Sequence, residues 1–345
     1  MHLKQKPDYF NIDADFKPLP KYGHLSEKTP EYASIEKAID ESYSKLWSLP
    51  DFPSIRKAAG NADASMPPGG PDRYRDIVTN LSTFPARDGH EIELKIYKSP
   101  NVKHDATLMY RMHGGGWVVG SHEVDGTENV YAATNPNIVI VSVDYRKAPE
   151  HPFPQPFYDC YDGLLWCKQN AKILGVNPGK IIISGSSAGA NLAAALVLEA
   201  RKDNITGIIA QVLHFPPVCH PQFFPRDKFE YGSYIQNQDN PVLSLLKMES
   251  FLDSYIPNPE PDYRHSPLLA SSFKGLPPTL IQCGGVDVLR DDASAYGDKL
   301  KSAGVDVQVF CYKGVPHCFP VLLPAVVEAN MFYETYNAFL NQHAA

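Results

Sequence analysis

The feature that most restricts the fold is a series of short apolar runs rich in Val and Ile, namely IVIVSV, KIIIS, GIIAQVL and TLIQCG, separated by stretches of helical periodicity. A run that is apolar at every position suits a strand covered on both faces. Its alternation with helices suits a mainly parallel sheet between two helical layers. The runs DIVTNLSTF, EIELKIY and ATLMYRM before this series and DVQVFCY after it bring the expected sheet to about eight strands. Helices are predicted over 157–170, 188–201, 291–303 and 324–340, and the fold class is α/β.

Two regions fall outside the alternation. Residues 1 to 70 are rich in Pro and aromatics, with an amphipathic helix predicted over 31–47, where Tyr32, Ile35, Ile39, Tyr43 and Leu46 recur at helical spacing and Pro30 suits the first turn. The punctuation ASMPPGGPD at 64–72 marks a boundary. Residues 215–276 contain no convincing sheet strand, and a structureless loop of that length is unexpected in a compact domain, so they should carry helices of their own. The expected organisation is an N-terminal cap segment (1–70), a catalytic domain in two pieces (71–214 and 277–345) and a cap insertion (215–276).

With 345 residues, 43% of them hydrophobic and 21% charged, the chain can bury a sizeable core and is neither a disordered polymer nor a disulfide-stapled scaffold. A net charge of −7, with no long basic block, argues against nucleic acid or anionic lipid as a partner. The six cysteines form no C-x-x-C pair and are expected as reduced thiols. No stretch of about 18 apolar residues occurs and the N-terminus lacks a signal-peptide core, so a cytoplasmic protein without stable membrane insertion is expected. The sequons at Asn80 and Asn204 then carry no meaning.

The chemistry concentrates in KIIISGSSAGANLAAALVLEA, where G-x-S-x-G stands between a strand and a helix. The sharp turn forces its central residue, Ser187, into a strained backbone conformation, and the flanking glycines leave room for it. The hydroxyl would then project above the sheet, beside the free N–H groups of a helix N-terminus. A second segment, YRMHGGGW, follows a strand directly. Its glycines allow N–H groups to face a ligand, so Gly114 and Gly115, with Ala188 as third donor, are the expected oxyanion hole. The spacing of Gly114, Gly116 and Gly120 is one residue too long for a dinucleotide fingerprint.

A serine nucleophile needs a base, and His317, just past the strand DVQVFCY, is the expected one. The orienting acid should follow another strand end between serine and histidine, which selects Asp287 in IQCGGVDVLRDD. Asp291 and Asp292 are expected as helix N-terminal residues serving the dipole. Asp144 and Glu150 precede the serine and are expected to be structural, pairing with Arg146. His113 is expected to order the glycine loop, while His151, His214, His220 and His265 are expected as solvated or structural. No H-E-x-x-H spacing occurs, so no metal is expected, and the proposed chemistry requires no cofactor.

Together HGGGW, GSSAG, DVLRDD and PHCF, with DYRKAPEHPFP between them, resemble the hormone-sensitive-lipase-like branch of the α/β-hydrolase carboxylesterases from about Asp76 to the C-terminus. The resemblance implies a helical cap over the active site. It also implies the triad Ser187, Asp287 and His317 with an oxyanion hole at Gly114, Gly115 and Ala188. Two departures stand out: the family commonly has G-D-S-A-G-G, where this chain has Ser186 before the nucleophile and Ala190 in place of the last glycine. Neither removes a catalytic atom.

The expected function is hydrolysis, through an acyl-enzyme, of a small, uncharged, partly apolar ester by a monomer or homodimer. The segment VLHFPPVCHPQFFP is similar to fungal members of the branch that act on acetylated secondary metabolites, which implies a substrate of that kind. An acyltransferase or an amide or formamide hydrolase could use the same triad. A non-catalytic small-molecule receptor would be expected to have lost a triad member, and all three are here. Tyr9, Phe10, Tyr22, Trp47, Phe223, Phe224, Tyr231 and Tyr234 are expected to include pocket walls.

Overall fold

The computed structural model describes residues 20–58 and 66–344. Parts of the expected N-terminal segment, Tyr9 and Phe10 among them, and the first residues of the 64–72 punctuation lie outside these.

All eight predicted strands form, in one sheet: β1 (Val78–Pro85), β2 (Glu91–Lys98), β3 (Ala106–Met112), β4 (Ile138–Val143), β5 (Val176–Ser186), β6 (Ile208–His214), β7 (Thr279–Val286) and β8 (Val307–Pro316). Their spatial order is β1-β2-β4-β3-β5-β6-β7-β8. β1 and β2 pair antiparallel and β2 runs antiparallel to β4, while the pairs from β4 through β8 are parallel. Every residue of β3, β4 and β7 is buried, as runs apolar at every position require when helices cover both faces. The edge strand β1 is mostly exposed.

Eight helices of seven residues or more stand among the described residues: α1 (Pro30–Trp47), α2 (Phe52–Ala58), α3 (Gly126–Ala133), α4 (Gln155–Gln169), α5 (Ala188–Lys202), α6 (Leu245–Tyr255), α7 (Arg290–Ser302) and α8 (Val327–His343). α1 begins where the sequence places it. Thr29 caps it by accepting the Tyr32 N–H, Pro30 occupies the first turn, and Tyr32 and Ile39 are buried. The last helix starts later than predicted, because residues 324–326 form a turn that ends with Val326 extended as the N-cap. The connection from β3 to β4 holds α3, which the sequence pattern did not show. Seven of its eight residues are buried, Thr127, Glu128 and Asn129 among them, so no apolar stripe marks it.

The 215–276 segment contributes no strand. It holds α6 and short helical turns, and it packs on the N-terminal helices: Asn240 Nδ2 donates to Tyr32 Oη at 3.0 Å, and the Trp47 and Phe251 rings lie 5.2 Å apart. Among the described residues no helix is long and apolar enough to cross a membrane.

Candidate active site

Each residue expected to react follows the C-terminal end of a parallel strand, where an α/β sheet leaves its crevice. Ser187 follows β5. Its backbone sits at φ 54° and ψ −121°, a conformation costly for any residue with a side chain and held here by its surroundings. The Ser187 N–H donates to His214 O at 2.7 Å. Added methyl groups at Gly185 and Gly189 would lie 2.2 Å from Gly189 O and 2.1 Å from Met112 O, so the turn closes only with glycine at both positions.

His317 follows β8, with Nε2 3.0 Å from Ser187 Oγ and Nδ1 2.7 Å from Asp287 Oδ2. Asp287 follows β7, is 1% exposed, and takes the Leu289 N–H on Oδ1 at 2.9 Å. Burial alone would push the imidazole pKa down. The Asp287 charge against it prevails and holds His317 well above its ordinary value. The three residues singled out from separate stretches of sequence therefore form one hydrogen-bonded row.

The glycine loop after β3 is braced from behind by His113. That ring is fully buried, stacks on Tyr145 at 4.3 Å, touches Gly114 O through Nδ1 at 2.7 Å and reaches Asp144 through Nε2 at 3.2 Å. Tyr145 Oη donates to His113 O. Burial lowers the His113 pKa, so the ring is a neutral scaffold. Gly115 has φ 121°, and a Cβ there would lie 2.3 Å from Val119 O. Gly114 and Gly115 line the cavity beside Ser187, with Gly116 next to them. The N–H groups of Gly115, Gly116 and Ala188 have no acceptor among the described residues.

Other expectations are redistributed. Asp144 pairs with Lys147 and His113, Glu150 with Arg56, and Arg146 with Asp88 and Asp159, so none of the first two meets Arg146. Asp291 and Asp292 are more than dipole partners. Both are fully buried, and they accept the N–H groups of Ser233 and Val218, which pins α7 to the 215–276 segment. All six cysteines are free thiols. Glu93, His122 and Asp144 bring ligand atoms within 4.8 Å of one another, but Lys147 Nζ already lies 2.5 Å from Asp144 Oδ1 and the group is not part of the cavity at Ser187.

That cavity measures about 210 Å³ and is walled by Gly114–Gly116, Ser187 and His317 on the sheet side and by Tyr43, Leu46, Trp47, Val242, Leu243 and Phe251 on the other. Of the aromatics expected in its wall, Trp47 is there. Phe224, Tyr231 and Tyr234 instead stack on one another, and Phe223 packs on His220. Tyr22 borders a separate depression of about 380 Å³ with Glu230 and Asp298, which contains none of the three reacting residues. Tyr43 and Phe251, which the sequence reading did not single out as walls, complete the aromatic surface with Trp47.

A family model described as alpha/beta hydrolase fold matches residues 109–321. An AB hydrolase superfamily protein of Schizosaccharomyces pombe is 33% identical over 91% of this chain and 92% of its own length. Carboxylesterase NlhH of Mycobacterium tuberculosis is 31% identical over 69% of this chain and 75% of its own. Among solved structures, vibralactone cyclase superposes with a TM-score of 0.78 at 29% identity, covering 94% of this chain and 97% of that one.

Proposed function

The chain belongs to the hormone-sensitive-lipase-like carboxylesterases of the α/β-hydrolase superfamily and is an ester-hydrolysing enzyme, and from this we propose that Ser187, His317 and Asp287 carry the reaction. The observation that supports this reading most strongly is the row in which His317 Nε2 stands 3.0 Å from Ser187 Oγ while Nδ1 stands 2.7 Å from Asp287.

His317 takes the Ser187 proton as the oxygen attacks the ester carbonyl, and Asp287 stabilises the imidazolium that results. The oxyanion settles on the Gly114, Gly115 and Ala188 N–H groups, with Gly116 beside them in the cavity wall. Losing one such donor typically costs roughly 3 to 4 kcal/mol of transition-state stabilisation. His317 then protonates the leaving alcohol, the acyl group stays on Ser187, and a water activated by the same imidazole releases the acid.

The N-terminal helices and the 215–276 segment act as a cap that selects the substrate. Tyr43, Trp47, Leu243 and Phe251 suit a small ester with an apolar portion, and an acetylated metabolite is one such substrate. The likeness to a cyclase favours one second reading, in which a hydroxyl replaces water in resolving the acyl-enzyme. Labelling by a serine-directed phosphonate, combined with turnover of short aryl esters, tests the first reading. Product analysis in the presence of competing alcohols tests the second. An enzyme that is inert to both ester and phosphonate would overturn the assignment.

A further inference from the structure

The cavity beside Ser187 is not apolar throughout. Asp125 and Glu128, at the N-terminal end of α3, belong to its wall although each is only 3% exposed. Behind them lies Arg111 of β3, fully buried, with Nη1 donating to Ser184 Oγ at 2.9 Å and Nη2 3.2 Å from Asp125 Oδ2 and 4.0 Å from Glu128 Oε1. Among the described residues neither Asp125 Oδ2 nor Glu128 Oε2 has a hydrogen-bond partner of good geometry, and both are closed to the cavity, which leaves Asp125 Oδ1 and Glu128 Oε1 as the oxygens that a molecule in it can meet. Asp125 shares the cavity wall with Gly114, Gly115 and Gly116, so this cluster borders the oxyanion loop.

A buried carboxyl oxygen without a partner costs free energy unless something in the cavity supplies one. Two acids face one guanidinium. Burial, together with the mutual repulsion of the acids at Asp125, pushes both carboxyl pKa values up against the opposing pull of Arg111. A carboxyl that holds a proton can both donate and accept, and an ionised one accepts. A cationic substrate group would bring a second positive charge beside Arg111, whereas a neutral hydroxyl meets the same oxygens without it.

We propose that Glu128 and Asp125 form a polar subsite for the hydroxyl of a hydroxyl-bearing ester, which places the preferred substrate among hydroxy-acid esters or monoesters of diols. This deepens the esterase reading above and rests on it.

The test compares kcat/KM for matched pairs: nitrophenyl esters of ω-hydroxyhexanoic and ω-hydroxyoctanoic acid against the same esters with methyl in place of hydroxyl, and monoacetates of hexanediol and octanediol against acetates altered in the same way. A wholly apolar wall would favour the methyl member, because the hydroxyl must be desolvated without return. The subsite predicts the opposite, a preference of about tenfold or more for the hydroxyl member in at least one series. Glu128→Met should remove or reverse that preference, and Glu128→Gln should retain part of it.

Equal turnover of both members, or faster turnover of the methyl member, with phosphonate labelling of Ser187 intact, overturns the subsite and leaves the esterase reading standing. A hydroxyl preference that survives Glu128→Met also overturns it. If Glu128→Met does not fold, the wild-type ratio and Glu128→Gln decide. Failure of the wild-type chain to hydrolyse any ester or to be labelled overturns both readings together.

Discussion

Asp287 grips His317 from a fixed position: one carboxylate oxygen lies 2.7 Å from the imidazole Nδ1 while the other is held by the Leu289 N–H, so the carboxylate cannot turn without losing both contacts. This fixes the ring with Nε2 toward Ser187 and raises its proton affinity.

Replacing Asp287→Asn should therefore lower kcat by about three to four orders of magnitude, through loss of the correct tautomer. It should also move the acid limb of the pH–rate profile. His317 works as a base only when neutral, and its raised pKa places the limb above the ordinary histidine range. Without the Asp287 charge, burial dominates and the limb should shift to lower pH. Steady-state kinetics across pH measure both effects. A limb that stays in place would transfer the acid's role elsewhere.

Ser187→Ala should abolish turnover of a short-chain aryl ester and phosphonate labelling while leaving the circular dichroism spectrum unchanged, since the φ of 54° at this position is enforced by Gly185 and Gly189.

Gly189→Ala should be more harmful to the fold than Ser187→Ala. Its methyl would lie 2.1 Å from Met112 O and 2.5 Å from His113 O, backbone atoms that must shift to admit it. Overpacking of this kind costs about 1 to 3 kcal/mol or more, read as a lower Tm, and the shift would displace the glycine loop and reduce activity as well.

The Arg111, Asp125 and Glu128 cluster predicts a pH dependence of stability. Asp125 binds its proton more tightly in the folded than in the unfolded chain, so folding loses stability as pH rises above the ordinary aspartate range toward neutrality. Asp125→Asn should flatten that slope in urea titrations at several pH values. The variant's effect on activity is separate, because Asp125 also lines the cavity at Ser187.

Much of this was legible in the sequence. The strand-like runs located all eight strands, most plainly β3, β4 and β7, because a strand covered on both faces has few other compositions. Ser187, Asp287 and His317 could be chosen because each follows a strand end in the required order. What escaped depends on contacts between distant segments. The helix α3 is buried on nearly every side and so lacks a stripe, and Asp291 and Asp292 acquire their partners only when residues 218–233 fold over them. The same holds for the cavity wall, where Tyr43 and Phe251 join Trp47 because α1 and α6 meet.

That meeting of α1 with α6 separates two evolutionary freedoms. The reacting atoms ride on the ends of a rigid sheet, whereas most of the opposite wall is drawn from helices near the start and the later middle of the chain. A descendant could trade one diet of molecules for another by altering Tyr43, Trp47, Val242 or Phe251 and inherit its chemistry intact.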